Sequence, residues 1–370
     1  MSILIFFAIL FILVIVHEAG HFFTAKKFGI RVDEFGFGFP PKLWSRKKGE
    51  TEYSLNALPF GGFVKIFGET PDEENTSGPD SGRSFINKPK WQQAVVLFAG
   101  VFANFILAWL FFSIGLMSGM PASVGSDNSR ELEDVNLVII SVMPDSPALE
   151  GGLQSGDKII SIKSFSLEEG KYDSLQDINP ESLKSFILAN PKEEIEIGYL
   201  RGKSAVPVQT TVIPEENNEG TPAIGIAMDQ IGIAKMSPIP ALIGGLRLDW
   251  QLTKATAAGL IAFITESIMG RGSLEAVTGP VGLVGIVGDA YEFGFIYLLS
   301  FAALISVNLA IINLVPFPAL DGGRLLFLLI EKIKGSRINP KVANAANMLG
   351  FALLIIFMLV ITWNDVAKLL

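Results

Sequence analysis

The sequence has no cysteine and only two histidines among 370 residues, and its 29 lysines and arginines are outnumbered by 37 acidic residues. Without cysteine there is no disulfide scaffold and no thiolate-held metal. A net charge of −8 argues against a nucleic-acid partner, which would need a basic surface. Charge of either sign is scarce, at 18% of residues against 49% hydrophobic, and the mean hydropathy is +0.45. That is too apolar for an ordinary soluble domain. Parts of the chain are plainly polar, so the apolar residues must be concentrated into membrane spans.

Four windows have the length needed to cross a hydrocarbon core, about 20 apolar residues in a helix. Residues 94–116, 293–320 and 342–363 carry no Asp, Glu, Lys, Arg or His. The window 3–25 is different, because it is interrupted by His17, Glu18 and His21. It is read as a retained span and not as a removable signal peptide, since no basic residue precedes its apolar core.

Lysine and arginine in short loops resist translocation and mark the cytoplasmic side. Residues 26–90 hold eleven of them, and a second group, Arg324, Lys332, Lys334, Arg337 and Lys341, follows the third span. Placing both groups inside leaves the N-terminus, the C-terminus and the segment between spans two and three outside. Within that segment, residues 131–230 carry 18 acidic and 7 basic residues, so the acidity of the chain belongs to an extracytoplasmic domain. Alternating apolar runs at 135–142, 158–162, 194–200 and 206–213 predict strands, with a short helix at 181–188. Residues 142–148 and 152–160 resemble a bacterial PDZ domain. That resemblance implies a peptide or protein ligand added along a sheet edge, with Ile224-Gly225-Ile226 a candidate for its groove.

The chemistry lies in the first span. His17-Glu18-Ala19-Gly20-His21 fits H-E-x-x-H. Residues four apart on a helix differ by about 40° in direction and about 6 Å along the axis, so both imidazoles reach one metal ion. Glu18 stands about 100° around from His17, near enough to take a proton from a metal-bound water without being a ligand. Two histidines with an open water position suit zinc and hydrolysis. With no third histidine, the remaining ligand must be a carboxylate or a water. Asp321, in Asn313-Leu314-Val315-Pro316-Phe317-Pro318-Ala319-Leu320-Asp321-Gly322-Gly323, is the candidate. The charge-based topology puts it at the same depth as His17 and His21. Pro316 and Pro318 lack an amide hydrogen, so the helix should break there and line a polar cavity.

These features together resemble the site-2 protease family of zinc intramembrane metalloproteases, in its bacterial regulator-of-sigma-E branch. Residues 31–40, residues 61–65 and Thr278-Gly279-Pro280-Val281-Gly282 add to the match. The resemblance implies zinc held by His17, His21 and Asp321, with Glu18 as general base. It also implies substrate held near the metal by Asn313, and a cytoplasmic β-hairpin-like loop folded back into the membrane. The substrates it implies are single-span membrane proteins, either of the anti-sigma-factor type or signal-peptide remnants. Some members carry two PDZ domains in tandem, whereas residues 131–230 have room for one.

A transmembrane helix hides its amides in internal hydrogen bonds, so cleavage needs local unwinding and an edge strand to hold the extended segment. Residues 61–65, with Gly62 and Phe63, could supply that strand, beside residues 53–58, which have strand character of their own. The expectation is therefore a polytopic α-helical membrane protein of four spans in a bacterial inner membrane. It carries a membrane-associated β-loop and an inserted extracytoplasmic α+β PDZ domain, with its active site towards the cytoplasm. Its parts are 1–130, with the first two spans and the β-loop; 131–230, the PDZ-like domain; 231–292, an amphipathic segment on the outer membrane surface; and 293–370, the last two spans. For residues 238–270 a fifth span is the alternative, and residues 69–84 read as an exposed loop. Asn308 is assigned a helix–helix hydrogen bond. A catalytically silent PDZ receptor and a metal transporter are the competing classes.

Overall fold

The computed structural model describes residues 1–370 except 71–72, 126–131, 167–170, 203–205, 218–219, 272–276 and 368–370. Those exceptions include part of the expected 69–84 loop and the boundary drawn at 130/131. The chain forms two compact units, one of Met1–Ile114, Leu242–Tyr291 and Leu298–Leu370, the other of Gly115–Ala241 and Glu292–Tyr297.

In the first unit, four helices are long and apolar enough to cross a membrane: α1 (Ser2–Lys27), α3 (Lys90–Ser118), α8 (Phe295–Leu314) and α10 (Pro340–Ala367). The chain is a polytopic membrane protein. The third span stops at Leu314, short of the expected 320, because the prolines at 316 and 318 cannot continue the hydrogen-bond ladder. On α8, Leu299, Ala302, Ala303, Ser306, Val307, Ala310 and Ile311 are buried at spacings of three and four, and the small ones permit close helix approach. Thr256, on the helix α6 (Pro238–Ile268), donates to Asn308 of α8 at 3.1 Å. This is the helix–helix bond assigned to Asn308. Residues 238–268 thus form one 31-residue helix. It also meets α3, where the Trp109 indole donates to the Leu242 carbonyl at 2.9 Å. Its recorded partners therefore lie along the flanks of two apolar helices. Inside the expected 69–84 loop, α2 (Glu73–Ser77) makes a single helical turn.

Between α1 and α3 run two long antiparallel strands, β1 (Val32–Lys48) and β2 (Thr51–Ile66). Each folds back on itself near a glycine of positive φ, Gly38 at 80° and Gly61 at 83°. Tyr53 therefore pairs with Arg46 on one side and with Phe35 on the other, while Phe35 also pairs with Val64. The segments stack in the order 44–48, 51–55, 34–37, 62–65. Among the described residues, 62–65 pair on one side only, which makes them one edge, with 44–48 the other. Phe22, Ala25, Ile30, Val32, Val64, Ile66, Phe85, Val96 and Leu97 form a buried cluster tying this sheet to the C-terminal end of α1 and the N-terminal end of α3.

The second unit is an antiparallel sheet in the order β3 (Met120–Ser123), β11 (Ile226–Ala234), β4 (Leu132–Val142), β5 (Lys158–Ser166), β7 (Ile195–Leu200), β8 (Val208–Val212). The helix α5 (Pro180–Ala189) packs Leu183, Phe186 and Ile187 into its core. This unit is wider than 131–230 because β3 lies before that range and β11 runs past its end to Ala234. Ile224 is buried in the core, and the carbonyls of Ile224 and Gly225 accept from Ala148 and Met143. Ile226 begins β11 and pairs with Val142 of β4.

The turn of the β1–β2 hairpin is tied down by charge. Glu50 accepts from Lys26 at 2.5 Å and from Arg83 at 2.8 Å. Lys26 first, then Arg83, holds its carboxyl below its ordinary value of 4.5. A depressed carboxylate stabilises the fold above its ordinary pKa and loses that contribution as pH falls through the lowered value. Glu50→Gln should therefore lower the Tm at pH 7, and the gap from wild type should close as the pH drops below 4.5. Thermal unfolding in detergent across that range measures it.

Candidate metal centre

His17 and His21 are one helical turn apart on α1, both 7% exposed, with ring centroids 4.8 Å apart. Asp321 opens the short helix α9 (Asp321–Lys334), where a carboxylate is favoured by the helix dipole. The six-residue link from α8 is compact. Phe317 N bonds to Val315 O at 2.7 Å, and Gly323 and Arg324 both donate back to Leu320 O. Gly322 and Gly323 follow because this link leaves no room for a side chain. A Cβ on Gly322 would lie 2.3 Å from the Leu314 and Val315 carbonyl oxygens, and one on Gly323 2.1 Å from that of Phe317. On the far side, Asn347 of α10 accepts from Ala319 N at 3.2 Å.

The result is a triangle of ligand atoms. Nε2 of His17 and Nε2 of His21 lie 3.1 and 3.2 Å from Oδ2 of Asp321, and 3.2 Å from each other. Donors about 2.0–2.1 Å from a tetrahedral zinc ion are about 3.3–3.4 Å apart, so type and spacing both fit. Among the described residues this is the grouping of three such side chains able to share an ion. Nδ1 of His21 donates to Val96 O at 2.8 Å, which leaves its Nε2 as a lone pair facing the triangle. A Cβ on Gly100 of α3 would stand 2.3 Å from His21 Nε2 and 2.9 Å from His17 Cε1, so glycine there keeps open the space the ligands enclose.

The triangle borders a cavity of about 500 Å³ lined also by Glu18, Gly62, Phe63 and Asn313. The edge strand passes close by, since a Cβ on Gly62 would lie 3.2 Å from the Glu18 side chain. Pro316 does not line the cavity. The helix has already ended and the link turns, so Ala319 and Leu320 form that wall and Pro316 is exposed. Sequence reasoning also missed Gly100, Val96, Asn104, Arg324 and Glu69. For Asn104 there was a signal, an amide within an otherwise apolar stretch of α3. For Val96 there was none, because the contact uses a backbone oxygen. Arg324 and Glu69 form an ion pair, and both line this cavity and a second one of about 340 Å³.

Apolar helices enclosing two imidazoles, a carboxylate and a neighbouring glutamate define a membrane metallohydrolase. The pattern of peptidase family M50 matches residues 5–357, and the chain belongs to that family, the site-2 proteases. A Clostridium perfringens protein assigned provisionally as a zinc metalloprotease is 35% identical over 96% of this chain and 95% of its own length. Zinc metalloprotease RasP of Geobacillus kaustophilus is 30% identical over 99% of this chain and 98% of its own. RasP of Shouchella clausii is 29% identical over 100% and 99%. The chain is a zinc metalloprotease.

Alanine normally favours a helix over glycine by about 1 kcal/mol. At Gly100 the sign should reverse. Gly100→Ala is expected to lower both bound zinc and Tm, read by elemental analysis and thermal unfolding of the purified protein. Full metal content with a raised Tm would remove this glycine from the site.

Proposed function

We propose that the protein hydrolyses peptide bonds within the transmembrane segments of single-span membrane proteins. The carrying observation is the convergence of His17, His21 and Asp321 between apolar helices, with Glu18 lining the same cavity. In this reading the three residues hold zinc. When bound, the ion supplies Lewis acidity, which lowers the pKa of water to about 7 and polarises a carbonyl. Glu18 is the general base that takes the proton of the attacking water and returns it to the leaving amine.

A helical substrate must be extended before its amide can be attacked. The edge segment 62–65, with Gly62 and Phe63, is the surface on which it pairs, and Gly62 lies beside the Glu18 side chain. Asn313 lines the cavity with a side-chain amide suited to holding a substrate backbone. The second unit acts as a PDZ domain for a peptide or protein ligand outside the membrane. Basic residues at 26–90 and 324–341 favour a cytoplasmic placement of the site, with both termini and the second unit outside a bacterial inner membrane. Anti-sigma-factor-type proteins already trimmed on the outer side, or signal-peptide remnants, are the substrate class.

The test uses a panel of single-span reporters, with the purified protein in detergent and bound zinc measured alongside. Wild type is expected to cut within the apolar segment. Glu18→Gln should retain about one zinc and lose activity by at least about 100-fold. Equal cleavage by both would remove Glu18 as base; cleavage only outside the apolar segment would overturn the intramembrane assignment.

A further inference from the structure

The two histidines have different partners at Nδ1. His21 Nδ1 faces the Val96 carbonyl oxygen, which can only accept, so its proton is fixed on Nδ1. His17 Nδ1 instead faces the side-chain amide of Asn104, with Nδ2 at 3.3 Å. Asn104 is fully buried on α3, and its Oδ1 is buried with no hydrogen-bond partner among the described residues. Its position is held from α8, where Ser306 Oγ donates to the Asn104 backbone carbonyl at 2.9 Å.

An amide carries a donor and an acceptor at interchangeable places, and Oδ1 is the end that lacks a partner. Turned to the ring, Oδ1 accepts from Nδ1–H of His17, which leaves the Nε2 lone pair facing His21 and Asp321. We infer that Asn104 is a positioning residue that fixes His17 in the tautomer a metal ligand at Nε2 needs. A carboxylate can accept in its place, whereas an alkyl group cannot.

This rests on the metal assignment made above, and the experiment separates the two. Zinc affinity is measured by chelator competition on the full chain in detergent, for wild type, Asn104→Ala, Asn104→Leu and Asn104→Asp. Loss of the partner is expected to weaken zinc by about 10–100-fold in the alanine and leucine variants. Asn104→Asp should bind as tightly as wild type or more so, because its carboxylate accepts Nδ1–H permanently. A role in packing alone would be met by leucine, which fills nearly the same volume, so wild-type affinity in Asn104→Leu would also overturn the inference. Wild-type affinity in Asn104→Ala, or tenfold weakening in Asn104→Asp, would overturn the inference. The nearly isosteric aspartate variant decides the matter if the alanine variant folds poorly. Failure of wild type to bind zinc would instead overturn the metal assignment.

Discussion

Two imidazoles and a carboxylate set among apolar helices are held there only because they face one another. At membrane depth an isolated charge costs roughly 2.5 kcal/mol or more, and a buried polar group without a partner is costly as well. His17, His21 and Asp321 meet within 3.2 Å, so each offsets the burial of the others. Around them the structure is arranged to permit that meeting. α3 comes close because residue 100 is glycine and because Val96 and Asn104 engage the far ring nitrogens. The link between α8 and α9 turns tightly because residues 322 and 323 carry no side chain. The same constraint sets the helix ends, since Asp321 must stand at the start of a helix.

The β-sheet that follows α1 suits the proposed substrate, one whose amides are hidden in its own helix. Bends near Gly38 and Gly61 turn two long strands into four segments and leave 62–65 at the edge. The cluster of Phe22, Val32, Val64, Ile66 and Val96 presses that edge onto the turn of α1 that bears the histidines. In the proposed function this geometry joins a place for an extended chain to a place for a reacting water. Beyond it, the Arg324–Glu69 ion pair stands where two cavities share a wall, so the polar interior continues past the metal centre.

Much of this was legible in order of residues, and the reason differs by element. Long apolar runs disclose spans because lipid demands them, and α1, α3, α8 and α10 fall where the windows lay. Several strands of the second unit showed themselves by alternation, while β3 and β11 did not, β3 lying before the stretch that the charge pattern had marked off and β11 running past its end. Pro316 was rightly read as a break and wrongly as a wall, because a broken helix does not say which way the chain turns next. The 31-residue α6 was awkward for a related reason. Its mixed composition is explained by what it packs against, which a one-dimensional pattern does not contain.

The sequence by itself determined the two imidazole ligands, since H-E-x-x-H on a helix forces both onto one face, and the want of a third histidine left a carboxylate or a water for the remaining place. It also determined that these groups lie in a membrane, because hydropathy depends on composition and not on folding. Only the tertiary structure decided that Asp321, 300 residues away, joins them, and that an amide on α3 and a backbone oxygen at residue 96 complete the surroundings. Helical periodicity reaches across four residues; the approach of separate helices depends on the shapes and gaps between them, and those exist only once the chain has packed.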